Sequence, residues 1–202
     1  MLMRLTDLNV SEQELSAAFG RDSSVMAQVQ VVGTNDTVQA ISAFSRELGA
    51  AFLELTLKRV RLLERKNQIE LVGKFIDKSL TEQEHLTNLM KQLNLDGNVD
   101  QRIWEVVNNR FEFEQKNDSE NMEKRQELNT KQQRDILEFV ELSFDRFCTV
   151  SKLVLPAIFA IREELDLPLN REAYTKMVDE NLEKAKGIFQ GFLQGLDEAT
   201  KT

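Results

Sequence analysis

The chain has 202 residues, 34 acidic against 26 basic, a formal net charge of −8 and only two prolines. An acidic surface lacks the basic footprint that displaces counterions from phosphate, so nucleic acid is excluded as a partner class. The scarcity of proline and the 30% of charged residues favour long solvated helices over sheets. One cysteine, Cys148, allows no internal disulfide, and the first nine residues carry neither an apolar core nor a small-residue cleavage site. The expected compartment is the cytoplasm, with secretion by a route that needs no cleaved signal left open.

In chain order, Ser11-Glu-Gln-Glu14 has the form of a capping box and Gly20 that of a stop, which predicts a short helix over about 12–19. Residues 21–35 read as polar or weakly extended, so 1–35 is taken as a short helix with a partly ordered segment. Residues 36–202 are taken as one elongated helical domain.

From Thr34-Asn35-Asp36 a long helix is predicted to about Leu93, with a weak point at Ser79-Leu-Thr81. It carries Ile41, Leu48, Leu55, Leu62, Ile69 and Ile76 at strict seven-residue spacing. A sustained heptad keeps one seam of a helix against a partner helix, as in coiled coils. Asn94-Leu-Asp-Gly-Asn98 is a turn signal, and a second long helix is predicted from about Val99 to Leu165, kinked at Pro156. A turn centred near 96–97 pairs residues whose numbers add to about 193. That register sets the polar stretch 58–67 against the polar stretch 127–135. It also sets Ile41, Leu48 and Leu55 near Val140, Phe144 and Phe147.

After Asp166-Leu-Pro-Leu-Asn170 a final helix spans about Arg171 to Glu198. Its positions Tyr174, Val178, Leu182, Ala185, Phe189, Phe192 and Leu196 follow the helical spacing. The expected fold is all-α: a long antiparallel helical hairpin, coiled-coil-like, with a C-terminal helix packed on one end.

Four features bear on function. Leu89, Met90, Ile103, Trp104, Val107 and Phe111 crowd the turn-proximal end with more apolar surface than two helices cover, which marks a protein interface. Either the N-terminal helix or a second copy of the chain would cover it. Lys58, Arg59, Arg61, Arg65 and Lys66 form a basic strip, read either as a docking strip for an anionic partner or as a solvated waist neutralised by neighbouring carboxylates. Gly187, Gly191 and Gly195 recur every four residues, as where another backbone packs closely or where a helix inserts into lipid. Glu82 and His85 match Glu-x-x-His, but His85 is the only histidine, so a di-iron site is not expected.

Phosphate loops, zinc spacings and nucleophile elbows are missing from the sequence. No enzyme, metal or cofactor is expected. The reading is a non-enzymatic protein of interaction or assembly, an adaptor, chaperone or scaffold. It is expected to self-associate, as a homodimer, and to bind a further protein. The alternative is a membrane-acting protein, pore-forming or membrane-binding, that exposes the glycine-repeat helix to lipid.

Overall fold

The structure, a computed structural model, describes residues 2–200, with the side chains of Met3, Asp22 and 196–200 left aside. Leu196 therefore falls outside what is described. A 3-10 turn, Leu2–Thr6, is followed by α1 (Glu12–Val32), α2 (Asn35–Leu95), α3 (Gln101–Glu164) and α4 (Arg171–Thr200). No strand occurs among the described residues. The two long helices pack together as a hairpin, and α4 packs at one end.

The heptad explains α2. Ile41, Leu48, Leu55, Leu62 and Ile76 are all buried, and a second buried column, Ala51, Val72, Ser79 and Leu86, lies three residues on from the first. Bonds between the long helices follow the expected register. Glu82 meets Arg110, Ser79 meets Glu114, Leu62 meets Gln132 and Glu47 meets Arg146, pairs whose numbers add to between 192 and 194.

Gly97 closes the hairpin at φ 65, where the left-handed conformation suits a residue without Cβ. Asn98 N–H donates back to the carbonyl of Leu93 at 3.0 Å and Gly97 N–H to that of Asn94 at 3.2 Å, the paired bonds of a Schellman ending. The same device ends α3, with Asp166 at φ 51 and bonds from Leu167 to Arg162 and from Asp166 to Glu163.

Two local expectations are corrected. The helix expected over 12–19 starts at its capping box but runs through Gly20 to Val32. One glycine costs a helix only about 1 kcal/mol and does not end it. The stop is Gly33, where a Cβ would meet Thr37 Cγ2 at 2.9 Å and the carbonyl of Val29 at 3.0 Å. The weak point at Ser79–Thr81 is absent, because Ser79 is buried with its hydroxyl on Glu114 and Thr81 Oγ1 donates to the carbonyl of Asp77 in its own helix. Pro156 lies inside α3.

The chain divides into two compact units, one made of residues up to Val60 and from Leu137 onward, the other of Arg61–Ile136. In the first, α1 packs on α2 through stacked Phe19 and Phe52 rings, 4.4 Å apart. There α4 packs on α3 through Phe189 stacked on Phe144 at 4.2 Å, beside buried Cys148 and Leu182. Arg146 ties α3 to α2 through Glu54 at 2.7 Å. The second unit is the turn-proximal hairpin alone, two helices with no third layer.

Candidate interaction face

The turn-proximal hairpin has a mixed seam. Val72, Ile76, Leu86 and Val107 are buried in it, but so is Glu114. Its carboxylate accepts from Ser79 Oγ at 3.0 Å and pairs with Arg110 at 3.0 Å, while Gln83 donates to its backbone carbonyl at 3.3 Å. Asn117 donates to the same serine oxygen at 2.9 Å. A buried carboxylate satisfied from both helices penalises every slipped register, since sliding by one heptad would leave it unpaired.

The contact between Glu82 and Arg110, 3.8 Å apart, identifies one flank of the hairpin. Phe75 and Leu89 lie seven residues either side of Glu82, and Ile103 lies seven before Arg110, so all of them fall on that flank. Leu71, Val106 and Phe113, four or three residues away from these, widen it. Its side chains are left open: Val106 is 68% exposed, Phe113 58%, Leu71 52% and Phe75 48%. Arg110 spans its middle, with the guanidinium 5.6 Å from the centre of the Phe113 ring.

The six residues expected to form the interface divide. Val107 is buried in the seam, Trp104, Phe111, Leu89 and Met90 are half-buried, and Ile103 is exposed. Trp104 serves the turn itself, since its indole N–H donates to the carbonyl of Asn98 at 3.0 Å and pins the start of α3 there. Phe113, Val106 and Leu71 were missed. For Val106 and Phe113 the signal was in the sequence, as a 3-4 spacing through Val99, Ile103, Val106, Arg110 and Phe113 beside the seam.

The basic strip separates. Arg59 is buried, with its guanidinium donating to the carbonyls of Leu5 at 2.8 Å, Asp7 at 2.5 Å and Val10 at 2.5 Å. Arg65 pairs with Asp135. Lys58, Arg61 and Lys66 are exposed. Those bonds, with Phe19 on Phe52, show that the N-terminal segment packs along the first half of α2 within the first unit.

Nothing lies within 4 Å of a Cβ added at Gly187, Gly191 or Gly195, so no other part of the described chain packs closely on them. Beside them Ile188 and Phe192 are more than half exposed. His85 is exposed and Glu82 is engaged by Arg110. Among the described residues no helix is long and apolar enough to cross a membrane, and no cluster of His, Cys, Asp and Glu could hold a metal ion.

No protein-family model matches this sequence, and neither the curated proteins nor the solved structures contain a match to it.

Proposed function

We propose that this chain is a non-enzymatic helical-bundle protein that works in the cytoplasm by protein-protein interaction or assembly, as an adaptor, chaperone or scaffold, and that it self-associates through apolar helix faces. The observation that carries the reading is the open flank of the turn-proximal hairpin. A two-helix unit with no third layer leaves Phe75, Phe113 and Val106 about half or more exposed on one side, and contiguous apolar patches of this kind mark interaction sites. Light scattering during size exclusion tests it: particles of at least twice 23.3 kDa are expected at micromolar concentration. A single 23.3 kDa species at every concentration overturns the reading.

One observation favours the membrane-acting alternative. The glycine face of α4 is open, and Ile188 and Phe192 beside it are exposed, the composition of a helix that can lie in a lipid interface. Flotation with liposomes of neutral and anionic lipid tests it. Protein that stays at the bottom of the gradient with both compositions ends that alternative.

A further inference from the structure

We infer that the middle of α3, residues 118–132, is a strap that lifts off α2 while the groups at either end of it stay engaged. The seam there is mismatched. Among the residues of α3 between Phe111 and Ile136 that are drawn in from solvent, Glu114, Asn117, Asp118, Asn121, Gln132 and Asp135 are polar and only Leu128 is apolar. The stretch of α2 across from them buries Leu62, Val72 and Ile76 and half-buries Ile69. Aliphatic side chains of one helix are thus covered by amides and carboxylates of the other, where a stable seam sets apolar against apolar.

Two acceptors in this stretch are orphaned. Oδ1 of Asp118 and Oε1 of Gln132 are buried and accept no hydrogen bond. Gln132 gives its Nε2 to the carbonyl of Leu62 at 3.2 Å, which leaves the oxygen of the same amide without a donor. An oxygen buried in this way has lost its water and gained nothing, and water restores the bond as soon as the strap lifts. Asp118 and Gln132 therefore bias the pair toward opening.

Satisfied groups bracket the strap. On the turn side Glu114 accepts from Ser79 and pairs with Arg110, and beyond it Leu86 and Val107 are buried. On the other side Asp135 pairs with Arg65. The strap itself loses little in water, because from Gln115 to Arg134 only Met122 and Leu128 are apolar. Local opening is drawn from such poorly packed stretches, and each opening here bares the column Leu62, Ile69, Val72 and Ile76 of α2.

Thiol accessibility tests it. Val72 and Val107 are alike in size and burial, 4% and 5% exposed, but Val72 lies under the strap and Val107 on the turn side of Glu114. The Val72→Cys and Val107→Cys chains, each also carrying Cys148→Ser, are treated with Ellman's reagent at pH 8 without denaturant. The Val72→Cys chain should react at least about tenfold faster. A smaller ratio, or a faster Val107→Cys chain, overturns the strap.

Hydrogen exchange adds an arm that needs no variant. In the natural chain, amides of 118–132 and of 65–76 should exchange at least about tenfold faster than those of 86–93 and 104–111. Asp118→Leu combined with Gln132→Leu removes both orphaned oxygens and should slow exchange across 65–76, on the helix that is not mutated. Ser119→Ala, at an exposed position of α3, raises helix propensity alone and should leave 65–76 unchanged. Uniform protection along the natural hairpin overturns the inference. So does a double variant in which 65–76 exchanges as fast as before, or equal slowing by Ser119→Ala.

Discussion

Arg59 holds Val10: its guanidinium is buried in the first unit and donates to the Val10 carbonyl at 2.5 Å. The carbonyls of Leu5 and Asp7 accept from the same group, so one side chain of α2 satisfies three backbone oxygens of the segment before α1. Leu2 and Leu5 of that segment are buried.

Replacing Arg59 by methionine keeps the bulk and removes every donor. A buried carbonyl left unpaired costs about 1–3 kcal/mol, and of the three only the bond to Leu5 is fully buried, so Arg59→Met should lower stability by about 1–3 kcal/mol. Limited proteolysis should then cut within residues 2–10 before any other site. An unchanged urea midpoint would show that the guanidinium is dispensable there.

Glu164 makes a second long-range tie, from the end of α3 to the start of α2. Its carboxylate accepts from Thr37 Oγ1 at 2.7 Å, and from the backbone N–H and hydroxyl of Thr34 at 3.1 Å. The hydrogen bond from Thr37, then that from the Thr34 backbone, hold the carboxyl below its ordinary value of 4.5. A lowered folded value means that this stabilisation is present above the unfolded value and is lost as pH falls through the folded one. Melting temperatures of the natural chain and Glu164→Gln should therefore differ at pH 7 and converge below pH 4. A constant difference across that range would exclude ionisation as the cause.

The open glycine face yields the opposite kind of effect. Alanine at Gly187 or Gly191 meets nothing within 4 Å, so only helix propensity changes. Each substitution should raise stability by about 0.5–1 kcal/mol. Loss of stability instead would mean that a second copy packs on this face in solution, which the melting temperature would reveal by its dependence on concentration.

Cys148 reports on the docking of α4. Burial pushes its thiol up, Lys186 opposes this and Asp145 adds to it. It lies with Leu182 and Phe144 in the cluster that joins α3 to α4. The native thiol should react slowly with Ellman's reagent at pH 8 and fast after unfolding. Leu182→Ala should cost about 2–4 kcal/mol and accelerate the reaction well before global unfolding. A thiol already fast in the natural chain would mean that α4 does not cover it.

What could be read in the sequence was whatever is periodic or punctuated. The heptad of α2, the Gly97 turn and the 3-4 spacing of α4 gave the hairpin and its third helix, because each is a local pattern with one structural solution. Arg59 shows what could not be read. In sequence it is one more member of a basic run, and its burial depends on carbonyls about 50 residues away. The flank was half legible. Ile103 and Leu89 stand out by sequence, but so do Trp104, Val107 and Phe111 beside them, since separating seam from flank needs the phase of α3 against α2. The pair of Glu82 and Arg110 supplies that phase.

The division of the chain also sets an order of events. The first unit is assembled from two stretches separated by Arg61–Ile136, whereas the second is one continuous stretch. Joining the ends of a flexible loop of that length, about 76 residues, costs about 4 kcal/mol in chain entropy before any contact is returned. A hairpin that starts at the tight bend around Gly97 and lengthens outward avoids that barrier, because each added helical turn closes only a small increment of loop. Strain introduced at the bend, as by Gly97→Val with its φ of 65, should thus slow formation of a core whose residues all lie more than 35 positions away.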